Sequence, residues 1–349
     1  MHKNSQQRVQ LYLLLATAVS VFFWVVSRYP ALLKKLAKGT TQVHQAWAFD
    51  LLSKEHLDAG IMERVGGNFF NWCYTNWKGM TYGILVATIL LPMFQHLRTM
   101  RFQNPWLRTL FGVGMGVPLG LCANCATPVS LGLKKGGVGT ETAVSTLMAS
   151  PTLNVTCLIM AFTMLPLSFA GMKVGATLLV LTTVPFLTRL TTKPESEQPL
   201  DIACDVPAPE SWAERLRGVL RELGHSFLFM LKGAVPWMLV AGFLGAVLFE
   251  LLPVDWFKNL APTLPNIFLV SLVGTFVPAP MTFDVIFSAK MLQAGAPKAF
   301  AMAMLFSLGI FSIYPMLVIG RTISPKLPLG LFGAVWIISS LSAALIGIF

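Results

Sequence analysis

Two apolar stretches of this chain, 107 to 133 and 266 to 289, are long enough to cross a bilayer yet are broken near their middles. The interruptions read Cys122-Ala-Asn-Cys125-Ala-Thr-Pro128 and Val277-Pro-Ala-Pro280-Met-Thr-Phe-Asp284. Hydrocarbon offers no water to an unpaired peptide group. A helix interrupted at that depth therefore survives only where protein buries the break or where water or a solute reaches it. Seven uninterrupted apolar stretches accompany these two, at 10 to 28, 79 to 97, 138 to 168, 171 to 190, 232 to 252, 297 to 320 and 328 to 348. All but the longer 138 to 168 are close to the roughly 20 residues that a helix rising 1.5 Å per residue needs to span a core of about 30 Å. Only 12% of the 349 residues are charged, against roughly a quarter in an average soluble domain. The expected fold is an all-α polytopic membrane protein.

The formal net charge of +11 does not indicate nucleic acid, because Lys and Arg cluster at the ends of apolar stretches and no DNA or RNA motif accompanies them. They act as topology signals. Lys3 and Arg8 precede an apolar run, Leu11 to Val26, that exceeds a usual signal-peptide core and lacks a small-residue cleavage site, so it is expected to stay as a first helix. The five cysteines, Cys73, Cys122, Cys125, Cys157 and Cys204, are odd in number with three in apolar segments, which speaks against a disulfide scaffold. The five histidines have no metal spacing, and no phosphate-binding or dinucleotide loop follows a strand. The chain is expected to be no enzyme and to carry no cofactor, and nothing in it supports an ATP-driven pump.

Compared with itself so that 79 to 97 falls on 237 to 255, the chain superposes its two broken segments, Cys122 meeting Pro280 and Gly137 meeting Gly295. Residues 151 to 168 then fall on 309 to 326, and 171 to 190 on 329 to 348. The match lies in hydropathy rather than identity. Arg98, Arg101 and Arg108 fix the loop from 97 to 108 in the cytoplasm, and Lys134 and Lys135 return there if 107 to 133 is a re-entrant hairpin. Each half then has three crossings and one re-entrant or broken hairpin. An odd number of crossings inverts the second half relative to the first, giving two inverted repeats behind an extra N-terminal helix, with the N-terminus cytoplasmic.

The expected divisions are 1–78, an N-terminal helix and external connection; 79–190, the first repeat; 191–231, a cytoplasmic loop; and 232–349, the second repeat. In the first connection, residues 29 to 78 carry Trp47, Trp72, Trp77 and Cys73 and are expected on the membrane surface. The loop ends in a short amphipathic helix opened by the capping-box pattern Ser211-Trp-Ala-Glu214.

The candidate site residues surround the breaks. Thr127-Pro128 and Ser150-Pro151 have the form of a hydroxyl N-cap followed by proline at the first helical position. Two half-helix N-termini inside a membrane would create partial positive charge suited to thiolate, carboxylate or an anionic solute. Plain proline kinks are the alternative. Cys122 and Cys125, three apart, can place both sulfurs on one side, and Cys157 could face the same cavity; thiols suit a soft metal or a trivalent metalloid, although a buried cysteine also serves as a small apolar residue. Asn124 and Asn154 flank the breaks and are expected to line the site or tie the loops together. Asp284 is the carboxylate of the second hairpin, a candidate for proton coupling, for cation binding, or for pairing with the opposing half. Ser307, Ser312 and Tyr314 add hydroxyls, whereas Lys232, Glu250 and Lys290 lie near segment ends and are expected to snorkel.

At these residues the chain resembles the bacterial permeases of ArsP/YraQ type. The likeness rests on the run from Cys122 to Gly136, on Ala149-Ser-Pro-Thr-Leu-Asn154, on Pro278 to Asp284 and on Phe306 to Tyr314. It implies inner-membrane export of a small molecule or metalloid through a cysteine-bearing core. The pattern departs from that family in one place: Asn124 stands where a second cysteine is expected, and Cys125 follows it. Two other functions fit parts of the same pattern, a thiol-disulfide carrier using Cys122 and Cys125 and a permease for a small anion or sulfur compound.

Overall fold

The computed structural model describes residues 3–38, 60–97, 104–192, 212–251 and 260–348. Apart from short turns these residues are helical, and seven helical segments among them are long and apolar enough to cross a membrane: Gln6–Lys34, Ile61–His96, Thr140–Met164, Leu167–Thr191, Trp212–Leu248, Lys298–Thr322 and Lys326–Gly347. The chain is a multi-pass membrane protein. Expectations resting on Trp47, Cys204 and Ser211, and on the loop arginines Arg98 and Arg101, lie outside the described residues.

The first segment consists of α1 (Lys3–Phe23), a π-helical turn (Trp24–Arg28) and α2 (Tyr29–Lys38). It exposes Leu14, Phe22 and Val25, as a lipid-facing helix does. Next, α3 runs unbroken from Ile61 to His96, so residues 61–78 continue directly into the stretch 79 to 97. They are the first half of this helix, with Trp72 fully buried. The seam between α1, α3 and α9 (Trp212–Leu251) is closed by Glu222, which receives Arg8 at 2.6 Å, the Tyr12 hydroxyl, and His96 Nε2 at 3.0 Å. Similarly, α9 joins the expected amphipathic helix and the crossing at 232 to 252 into one element. Its one proline, Pro236, lies within the crossing, and a proline within a membrane helix bends it without ending it.

Both expected interruptions are present. Asn104 caps α4 (Pro105–Gly116) by accepting from Trp106 N at 2.9 Å, with Pro105 at the first helical position. A short 3₁₀ turn (Val117–Leu119) and Gly120, at φ 60°, then reverse the chain into α5 (Ala123–Lys135). Lys134 and Lys135 occupy the last turn of α5, where its dipole favours cations. In the second half, α10 (Leu264–Phe276) and α11 (Phe283–Gln293) flank the break at 277 to 282. Two further crossings are interrupted, the first close to the helix start expected at Ser150-Pro151 and the second where no break is expected. The stretch 138 to 168 divides into α6 (Thr140–Thr152) and α7 (Val155–Met164), and 297 to 320 into α12 (Lys298–Ile310) and α13 (Ile313–Thr322). Each pair is followed by a full crossing, α8 (Leu167–Thr191) or α14 (Lys326–Ile348).

Small residues let the hairpins nest in the bundle, as is usual where no solvent drives helices together. A Cβ on Gly112 or Gly116 of α4 would stand 2.5 or 2.6 Å from the Thr142 or Thr146 carbonyl of α6. Those two threonines return hydrogen bonds to the Arg108 and Gly112 carbonyls at 2.8 and 3.0 Å. Across the other face of the hairpin, Gly83 of α3 lies against the Cys125 carbonyl and Gly132 of α5 against Ala87.

Candidate functional site

Four interrupted elements bring four half-helix N-termini into the interior. Cys122 is the N-cap of α5, its sulfur accepting from Cys125 N at 3.3 Å, and Asn154 is the N-cap of α7, its Oδ1 accepting from Cys157 N at 2.9 Å. Both satisfy a donor that a helix start leaves free. They also place Cys125 and Cys157 at the third position of their helices. The expectation that Thr127 and Ser150 are the caps is therefore corrected. Thr127 lies within α5 and returns its hydroxyl to the Ala123 carbonyl at 2.8 Å, while Ser150 lies in the last turn of α6. The prolines that suggested the caps are accommodated inside the half-helices, since protein on every side can compensate the hydrogen bond each one removes.

Ser150 nonetheless serves the break. Its hydroxyl accepts from Leu121 N at 3.2 Å and donates to the Leu121 carbonyl at 3.3 Å, satisfying both groups of a residue in the first reversal. Asn154 Nδ2 donates to the Ser150 carbonyl at 2.6 Å. Asn124, wholly buried, reaches the other half: its Oδ1 accepts from the Ser312 hydroxyl at 2.8 Å and its Nδ2 approaches the Ala279 carbonyl at 3.5 Å. One amide thus bonds the start of α5 to the N-cap of α13 and to the break of the second hairpin. Trp72 supports that break from α3, its Nε1 donating to the Pro278 carbonyl at 2.7 Å.

The opposite pairing holds α11 beside α7. Asp284, at the second position of α11, forms an ion pair with Lys173 of α8, whose Nζ also donates to the Leu305 carbonyl at 3.1 Å. Lys173 and Asp284 are 1% and 2% exposed. Cys157 lies within electrostatic reach of Lys173, whereas Cys122 and Cys125 interact with Arg28 of the N-terminal π-turn. Cys157 thus has a different cationic neighbour from the other two thiols. Among the described residues no cluster of three or more His, Cys, Asp or Glu side chains is placed to hold a metal ion. Cys122 and Cys125 are nearly or wholly buried, and the Cys122 thiol faces the Asn76 amide oxygen at 3.8 Å. Ser307 turns away toward the Ala303 carbonyl and the Tyr314 hydroxyl toward that of Ala234.

Lys173 and Arg28 were not among the sequence candidates. Lys173 carried a usable signal, a cation inside the apolar stretch 171 to 190 where a charge is costly. Arg28 carried none, because a cation at the end of an apolar run ordinarily marks a helix end.

Residues 72–348 match the family model ArsP_1, described as predicted permease. The chain is also 25% identical over 270 residues, 75% of either chain, to UPF0718 protein YraQ of Escherichia coli strain K12. No solved structure matches it.

Proposed function

The chain belongs to the ArsP_1 family of predicted permeases, and on that footing we propose that it is a secondary permease whose solute site lies between the interrupted elements of two inverted repeats. The observation that carries this is the position of Asn124, which bonds the first hairpin to both Ser312 and Ala279 of the second half. An amide held across that seam in the membrane interior gives a moving solute polar contacts and gives two halves a contact to break when they rock. Helix boundaries support the repeat. The displacement that carries Thr140–Thr152 onto Lys298–Ile310 also carries Val155–Met164 onto Ile313–Thr322. The α5–α13 and α11–α7 pairs are what a two-fold axis in the membrane plane would relate.

The solute we propose is small and thiol-reactive, exported across a bacterial inner membrane with the N-terminus cytoplasmic. Cys122 and Cys125 stand three apart at a helix start, where the Cys122 sulfur accepts from Cys125 N. A trivalent metalloid compound suits two such thiols. Asp284 is the proposed coupling residue: release from Lys173 would let it take a proton, and return to the pair would discharge it.

Everted vesicles with an imposed proton gradient test both parts. Cys125→Ser is expected to abolish accumulation of a trivalent organoarsenical, and Asp284→Asn to remove its dependence on the gradient. Unchanged uptake in the first variant removes the thiols from the site; undiminished coupling in the second removes Asp284 from proton transfer.

A further inference from the structure

The π-turn of the N-terminal segment lies outside the span of the family match, yet it faces the first hairpin. Such a turn inserts a residue into the helical register, which here directs two side chains at one neighbour. Trp24 Nε1 donates to the Pro118 carbonyl at 2.9 Å, and the Trp24 ring fills the place that a Cβ on Gly120 would occupy, 2.8 Å away. The glycine is doubly required, by its positive φ and by the indole. Four residues on, Arg28 sits over the Phe23 ring, 4.7 Å from its centroid, and Phe23 in turn stacks on Tyr82 with ring centroids 3.8 Å apart. The guanidinium is level with Gly79 of α3. A Cβ built there would lie 3.1 Å from Arg28 Nη2 and 2.9 Å from Cys125 Sγ.

A cation at the end of a membrane helix usually extends to the interface. The half-buried Arg28 side chain turns instead to Gly79 and Cys125, and its Nε is buried with no hydrogen-bond partner among the described residues. A buried donor on a planar, permanently charged group is costly unless something accepts from it. Nor is a carboxylate paired with Arg28 among the described residues; its electrostatic neighbours are Cys125, Cys122 and Tyr82.

We infer that Arg28 belongs to the solute site and makes it selective for a small anion, an oxyanion class of solute, that approaches Cys125 between the guanidinium and the α5 N-terminus. Both features are positive, so they oppose a bare metal cation and favour negative charge. This rests on the permease proposal and narrows its substrate from any thiol-reactive solute to an anionic one. It also gives the N-terminal segment a task beyond anchoring, since the π-turn sets where the charge stands.

Thiol reagents of matched size and different charge read this directly. The full chain, reconstituted with Cys125 as its single cysteine through Cys73→Ser, Cys122→Ser, Cys157→Ser and Cys204→Ser, is treated with neutral, anionic and cationic methanethiosulfonates. Serine at 122 keeps an N-cap acceptor. Labelling by the neutral methyl reagent reports access to the site. The ratio of anionic to cationic labelling rates is expected to fall by about tenfold or more in Arg28→Gln, the scale on which a local field changes encounter rates, and to be largely kept in Arg28→Lys. Neutral labelling with the same charge ratio before and after the Arg28→Gln change overturns this inference and spares the permease. Absence of labelling by all three reagents overturns this inference and removes Cys125 from the solute site, while gradient-driven uptake by the parent protein separately tests the permease.

Discussion

Lys173 and Asp284 form an ion pair that joins α8 of the first half to α11 of the second, with almost no surface of either exposed. Gly309 makes room for it, since a Cβ there would run into the Asp284 carboxylate and stand 3.4 Å from Lys173 Nζ. Removing one partner strands the other charge in a low-dielectric interior, which costs about 3–5 kcal/mol, whereas removing both can be close to neutral. Lys173→Met and Asp284→Asn should therefore each lower the apparent melting temperature in detergent more than the double variant does. Strictly additive losses would mean that the two charges do not depend on each other.

The helix order and both hairpin breaks were legible because hydropathy and proline report on them without tertiary information. The break at Leu153–Asn154 was signalled by Ser150-Pro151, a few residues too early, whereas the one at Phe311–Ser312 was not, since a two-residue interruption leaves the apolar run intact. Capping was misplaced for a related reason. Thr127-Pro128 looks like a helix start in isolation, and only the packing of α5 shows that Cys122 supplies the acceptor. Of the candidate site, Asn124, Ser312, Asp284 and the two thiols of α5 were found from their chemistry at membrane depth. Their partners Lys173 and Arg28 depend on which helices touch, which one sequence does not state.

At Gly83 α3 and α5 lie so close that any Cβ there would overlap the Cys125 carbonyl. A methyl group facing rigid backbone must push the helices apart, a form of overpacking that costs roughly 1–3 kcal/mol. Gly83→Ala should therefore destabilise the protein and slow labelling or transport at Cys125. Gly114→Ala, with open space around the new methyl, should do neither. Equal effects on thermal denaturation followed by tryptophan fluorescence would show that the α3–α5 contact is not what the glycine protects.

Asn154 holds the start of α7 by accepting from Cys157 N and closes back on the Ser150 carbonyl. Loss of an N-cap costs about 0.5–2 kcal/mol. Asn154→Ala should show at least that loss, since it also frees the Ser150 carbonyl. Asn154→Ser should recover the cap without the second bond and fall between the alanine variant and the parent. A serine variant as unstable as alanine would assign the effect to the lost amide donor instead.

Asn124 and Ser312 offer the sharpest test of a seam between two moving halves. The bond from the Ser312 hydroxyl to Asn124 Oδ1 joins the N-cap of α13 to the first turn of α5. Residues sharing one hydrogen bond couple by roughly 0.5–3 kcal/mol in a double-mutant cycle. Asn124→Ala and Ser312→Ala should thus be less than additive in stability. If the same bond opens when the solute site changes its side of access, each single variant should also alter how Cys125 labelling divides between the two faces of a sealed vesicle. Stability coupling without any change in that division would make the bond a structural tie alone, and the absence of both would separate α13 from the site.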